Sequence, residues 1–241
     1  MANGIYRAVA GSVAQVRQLD VLANNLAHVD TPGFKADALR FEEMLNRAQQ
    51  GTGFVDTGET TIQMTQGSLR KTDNPLDVAV AGDGFLVVDT PKGSRLTRAG
   101  RMVVGADGIL RTVAGHPVQG ANGTISMVPL GDERREGPLV IESNGRIMQG
   151  DVELGVLRRV AAGADELKKE GLDMFALKAG DVNNLPPAQT GEILQGHVED
   201  ANVNPVFAMT EIIQVQRTFE ALQQMTKTYR DTDRQSVRRM R

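Results

Sequence analysis

Apolar residues at the start of the chain recur every three or four positions: Ile5, Val9, Val13, Val16, Leu19, Leu22, Leu26 and Val29. That spacing gathers them on one face of a helix, predicted over 3–29. Arg7, Gln15, Asp20 and Asn24 fall on the other face. Gly11 weakens the middle by about 1 kcal/mol relative to Ala. Asp30-Thr31-Pro32-Gly33 ends the helix, because Pro32 disfavours helical geometry at Thr31. Pro and then Gly at the central positions of Thr31–Phe34 suit a type II turn. A second stripe closes the chain, through Val206, Met209, Ile212, Val215, Phe219, Leu222, Met225 and Tyr229. Its start is marked by Asn204-Pro205, since Asn caps helices well and Pro is favoured at the first helical position. Arg234, Arg238, Arg239 and Arg241 lie at its far end, where cations favour the helix dipole.

Between the stripes the pattern changes. A short helix is predicted over 38–49, and residues 51–75, rich in Gly and Thr, read as extended or irregular. From Leu76 to Gly180, short runs of Val, Ile, Leu and Thr alternate with turns at Gly82–Gly84, Lys92-Gly93, Ala106–Gly108, Gly115, Asn122-Gly123 and Asn144-Gly145. That rhythm predicts antiparallel hairpins in a compact β domain. Residues 181–196, with Asn183, Asn184, Pro186 and Pro187, read as a polar connector.

The fold class that follows is α+β, mainly β: a central antiparallel β domain flanked by N- and C-terminal helices that pair as an assembly coiled coil. The segments are an assembly helix and turn over 1–34, an extended linker over 35–75, the β domain over 76–180, the connector over 181–196 and a C-terminal assembly helix over 197–241. A single one-striped helix is not stable by itself in water. Each therefore needs a second helix, from this chain or a neighbour, and the termini are expected to order on assembly.

Charge and composition narrow the function. The chain has 27 basic and 30 acidic side chains, without the basic excess of a nucleic-acid binder. Aromatic residues are 4% and Trp is absent, which argues against base stacking or a carbohydrate site. With no Cys there is no disulfide, thiol catalysis or Cys-based zinc site. No apolar run of about 18 residues predicts a membrane span. The first residues lack a charged stretch followed by a continuous apolar one, so no cleavable secretory signal is expected. Gly82-Asp83-Gly84 lacks the third glycine and the following helix of a phosphate loop and reads as a hairpin turn. His28, His116 and His197 stand alone, without metal-ligand spacing. No catalytic, cofactor or metal residue emerges, and no small-molecule substrate is implied.

Several short motifs point further. Asn24-Asn25-Leu26-Ala27 followed by Thr31-Pro32-Gly33-Phe34-Lys35 begins the set. Gly67-Ser68-Leu69, Asn74-Pro75-Leu76-Asp77, Gly82-Asp83-Gly84-Phe85, Thr97-Arg98, Gly100 and Gly108 form a central block. Gly196, Glu199, Asn202-Val203-Asn204, Met209, Ile212, Gln216-Arg217 and Phe219-Glu220 form a third. Together they resemble the flagellar rod, hook and hook-associated proteins, in order and over nearly the whole chain. Gly115–Val118 with Gly120, and Asn204–Val206 with Met209-Thr210, look more like a proximal than a distal rod subunit. Leu86 and Leu96 replace aromatics frequent in the family, and Phe207 is atypical.

The resemblance implies a structural, non-enzymatic subunit whose termini form coiled coils in the inner tube of an axial structure. It implies other rod subunits and hook-side axial proteins as partners, and export through the flagellar type III apparatus without a cleaved signal. The location implied is the periplasm-spanning rod of the basal body; the alternative is a distal rod or hook-type axial protein, or an adaptor joining axial segments. Stripes and motifs together nominate an assembly interface of Ile5, Val9, Val16, Leu19, Leu22, Asn24, Asn25, Leu26, Thr31, Pro32, Gly33, Phe34, Asn202, Val203, Asn204, Met209, Ile212, Gln216, Arg217, Phe219 and Leu222. Asn24 and Asn25 are either solvated helix surface or amides that bridge to neighbouring subunits and set register. Thr31–Phe34 is either a simple stop or a fixed turn with Phe34 as its anchor.

Overall fold

Both apolar stripes form helices in the computed structural model, which describes residues 2–39, 60–127 and 137–239. Helix α1 spans Ala2–Ala27 and helix α2 spans Pro205–Arg239. The stop after α1 is the predicted type II turn: Phe34 N–H donates to Thr31 O at 3.2 Å, and Gly33 has φ 73°. The start of α2 is capped as expected, with Asn204 Oδ1 accepting from Val206 N (3.0 Å) and Phe207 N (3.2 Å). The chain divides into two units, one of Met1–Ala27, Asp37–Thr61 and Val203–Arg241, the other of His28–Ala36 and Ile62–Asn202. The helix predicted over 38–49 begins differently, since Ala38 and Leu39 belong to a strand; the rest of it lies outside the described residues.

The remainder is antiparallel β structure. In chain order the strands are β1 (Asp37–Leu39), β2 (Thr60–Ile62), β3 (Leu69–Lys71), β4 (Val78–Ala81), β5 (Phe85–Thr90) and β6 (Gly93–Thr97). Then come β7 (Met102–Val104), β8 (Leu110–Thr112), β9 (Gln119–Gly120), β10 (Gly123–Thr124), β11 (Leu139–Ile141) and β12 (Arg146–Gln149). The last are β13 (Val152–Val156), β14 (Arg159–Val160), β15 (Leu167–Glu170), β16 (Met174–Leu177), β17 (Glu192–Gln195) and β18 (His197–Glu199). The largest sheet has the order β14-β5-β6-β16-β15, and β11-β12-β13 forms a second. Hairpin turns fall at Pro91-Lys92, Ala106–Gly108, Ala121-Asn122 and Asn144-Gly145, close to the predicted positions.

Strand β5 explains the core. Its run of apolar residues is buried on both faces, so the two-residue period sorts them into two clusters. Leu86 and Val88 join Val78, Val80, Met102, Leu110, Val118 and Ile147. Phe85 and Val87 join Leu96, Val160, Leu167, Phe175 and Val182. Phe85 and Phe175 meet edge to face, their centroids 5.6 Å apart at 64°.

Three expectations change. Gly82–Gly84 does not close a hairpin: β4 pairs with β17, whereas β5 pairs with β6 and β14, so the turn bends the chain from one sheet into another. The segment 181–196 holds a 3-10 turn with Val182 buried, and then β17, which covers β4 with Ile193 opposite Val80. The region from 197 starts as strand β18, paired with β3, before α2 begins. Their short, polar sequences carry too little apolar period to reveal strands that complete someone else's edge.

Phe175→Ala removes a fully buried ring from the second cluster and is expected to lower stability by about 3–5 kcal/mol. Urea denaturation of the full-length chain measures this.

Candidate assembly site

Two arrangements carry the residues that the sequence nominates. The first is the helical pair. Helices α1 and α2 pack along one another. Along α2 the side chains turned inward are Ala208, Ile212, Val215, Phe219, Leu222 and Thr226, with Ala208 and Val215 fully buried. The steps of four and three keep this seam straight. Gly11 of α1 lies beneath Leu222: a Cβ there would sit 3.3 Å from Leu222 Cδ1. The glycine that weakens α1 as an isolated helix thus lets α2 approach closely. The helices run antiparallel. Asn25 near the end of α1 is bonded to Asp37, and Asn202 just before α2 is bonded to Ala36. Gly11 lies 16 residues before the end of α1 and Leu222 17 residues after the start of α2, each about 25 Å along its helix at about 1.5 Å per residue, which brings them level.

This seam corrects both stripes. On α1, Leu19, Leu22 and Leu26 are half-buried and Ala8 is buried, but Val9, Val13 and Val16 are exposed. Ile5 lies in α1. On α2, Ile212, Phe219 and Leu222 are inward, whereas Val206, Met209, Met225 and Tyr229 are exposed, as are Gln216 and Arg217. Successive steps of three drift around a helix with 3.6 residues per turn, so the predicted stripes wandered off the seam. Small residues, Ala208 and Thr226, hold the seam positions that a search for large apolar side chains passes over.

The second arrangement is made by the chain segments that follow α1 and precede α2. Asn25 is buried and its amide pairs with the Asp37 peptide, Nδ2 donating to Asp37 O (2.8 Å) and Oδ1 accepting from Asp37 N (2.9 Å). Its hydrogen-bonding groups are engaged within the chain rather than presented to a neighbour; Asn24 is exposed. Asn202 does similar work, accepting from Ala36 N at 2.7 Å and donating to Gln63 O at 2.8 Å and Thr65 O at 3.0 Å. Val203 is half-buried. The Thr31–Phe34 turn is clamped by Gly33 N–H donating to Glu199 O at 2.7 Å. A side chain at Gly33 would collide with the Ala99 backbone, 2.3 Å away. Thr31 and Pro32 are half-buried. Phe34 is buried, with the Lys169 ammonium 3.7 Å above its ring and His28 beside it.

Beneath the turn lies a buried charge group. Lys35 Nζ donates to Glu199 Oε1 at 2.6 Å and to Thr65 O at 2.8 Å. Arg98 Nη1 reaches Glu199 Oε2 at 3.4 Å and Val80 O at 3.3 Å, and Gly67 N–H donates to Glu199 Oε1 at 3.0 Å. All three charged side chains are more than nine-tenths buried. Burial pushes the Lys35 ammonium below its ordinary pKa against the opposing pull of Glu199, and it does the same to Arg98. Arg98 also lies 4.9 Å over the Phe85 ring, and its Nε has no hydrogen-bond partner. One carboxylate thus serves two cations, so Glu199 is the member whose charge the group cannot lose. Lys35, Arg98 and Glu199 were not among the nominated interface residues. Each is nevertheless a charged residue of a different motif block, a signal that sequence spacing alone could not join.

Among the described residues no three His, Asp or Glu side chains gather as metal ligands, and no helix is long and apolar enough to cross a membrane.

Comparison with known proteins bears on this geometry. Residues 5–35 match the family model described as "Flagella basal body rod protein", and residues 194–239 match "Flagellar basal body rod FlgEFG protein C-terminal". These matches hold α1 with its turn, and β18 with α2. The flagellar basal-body rod protein FlgF of Mesorhizobium japonicum is 34% identical, over 91% of this chain and 90% of its own length. FlgF of Salmonella typhimurium is 35% identical, over 91% of each. The flagellar basal-body rod protein FlgG of Bacillus subtilis is 28% identical, over 92% of each.

Glu199→Gln leaves two buried cations without their counter-charge and is expected to cost about 3–5 kcal/mol. Lys35→Met keeps the Arg98–Glu199 pair and should cost less, about 1–3 kcal/mol. Denaturant melts of the two variants give the order; equal costs would show that Glu199 is not the shared partner.

Proposed function

This chain belongs to the flagellar basal-body rod protein family, and from that premise we propose that it builds the proximal part of the rod by polymerising through α1 and α2. It is a structural subunit of the rod, located in the flagellar basal body, with other rod components as partners. The observation that carries the assembly reading is the helical pair itself. The two segments that the family models match contain helices that pack along one another, and both keep apolar side chains uncovered. The FlgF relatives, more similar than the FlgG one, favour the proximal over the distal position. The straight four-three seam of α2 suits a coiled-coil arrangement in the inner tube. Hook-side axial proteins are further partners in this reading. Delivery runs through the flagellar type III apparatus, using an N-terminal segment that is not removed.

The pairing also answers the instability of a lone helix. Each helix finds its partner in the same chain, so the hairpin, rather than a single helix, is the unit offered to neighbours.

Leu222→Asp places a carboxylate against Gly11 in the seam and is expected to abolish incorporation into the rod and motility, while the β unit keeps its melting transition. Immunoblots of isolated basal bodies and swimming assays test this. Normal motility from that variant would refute assembly through the helical pair.

A further inference from the structure

Each helix exposes a second apolar face that the seam leaves uncovered. On α1, Val9, Val13 and Val16 are 44%, 46% and 42% exposed. They form one wall of a groove of about 820 Å³ whose other wall includes Phe219, Gln223 and Lys227 of α2. On the side of α2 away from the seam, Val206, Met209 and Ile213 are 71%, 53% and 51% exposed. We propose that the Val206–Met209–Ile213 ridge of one copy of this chain seats in the Val9–Val13–Val16 groove of the next copy. This rests on the reading that the helical pair assembles the rod, and adds which faces meet and in what order.

The two faces match in length and spacing. Each spans two helical turns, about 10 Å. Read upward, the α1 residues step by four and then three; read downward, the α2 residues do the same. They therefore come into register when the helices run antiparallel, as a ridge in a groove does in helix recognition. The ridge carries no charge. The groove rim carries Glu220, Asp231, Lys227 and Arg230, which balance, so no charged partner is selected. Both faces belong to one chain, and a second copy satisfies them without any other molecule.

The orientation has a geometric result. Because α1 and α2 are antiparallel within a chain, a neighbour's α2 lying antiparallel to α1 means that the neighbour points the same way. The contact joins different faces, so it does not close on itself as a two-fold dimer would, and it propagates. The seam sets the groove level with Glu220, whereas the ridge centres on Met209. Successive copies are thus displaced by about 16 Å along the helices, at about 1.5 Å per residue.

The chain has no cysteine, so an introduced pair reports one contact. Within a chain, positions 13 and 209 are too far apart to form a disulfide. The test expresses full-length Val13→Cys/Met209→Cys in cells lacking the native copy, isolates basal bodies and oxidises them. The expected result is a ladder of disulfide-linked dimers and larger multimers of this chain, absent from either single variant and from Val13→Cys/Met225→Cys. The proposal is overturned if the doubly substituted chain is present in basal bodies but unlinked, or is linked only to a protein of different mass; the rod reading then survives. If the unsubstituted chain is missing from basal bodies, the rod reading falls and this contact with it.

Discussion

A buried carboxylate shared by two cations ties three parts of the β unit that are far apart in sequence. Glu199 sits at the end of the last strand, Lys35 just after the turn that ends α1, and Arg98 directly after β6. Ions are not removed from water for stability alone, because desolvation offsets much of the attraction. What the arrangement supplies is definition. A lysine, an arginine and a glutamate enclosed in apolar surroundings accept one geometry, with the backbone groups of Thr65, Gly67 and Val80 completing it. The Gly33 turn, the Asn202 clamp and the Phe34–Lys169 contact are built around that geometry.

The β unit is designed around the same requirement. Strand β5 divides two apolar clusters, one bounded by β4 and its cover β17, the other by β6, β15 and β16. β17 and β18 return late in the chain to pair with β4 and β3, so the residues that precede α2 are stitched to strands formed more than a hundred positions earlier. Residues 181–191, which lead into β17, carry the chain back for this return.

Periodicity made the two helices legible, together with the turn at Thr31–Phe34, the cap at Asn204 and most hairpins, because those features are dictated by neighbours in sequence. The inward face of each helix was less legible. Val9, Val13 and Val16 are as apolar as Leu19 and Leu22 but are exposed, since the partner helix approaches over Gly11 instead. Asn25 looked like a polar neighbour of a stripe and proved to be a buried peptide clamp. Strands β17 and β18 and the charge group were hidden for a different reason. Their partners are far away along the chain, and short polar strands have no signal of their own. The motif blocks did mark the right regions, without showing that they converge.

That separation also governs when the fold can close. The Lys35–Glu199 bond spans 164 residues, and by loop-closure arguments bringing such ends together costs about 4.5 kcal/mol before any contact offsets it. Contacts of such span slow folding. The charge group cannot form until residue 199 is available, so a chain that emerges from its N-terminus carries an unpaired Lys35 through most of its length. Closure comes near the end, almost together with the appearance of α2. Helix α2 and the charge group that precedes it become available at nearly the same moment, so a chain cut short of residue 199 holds neither.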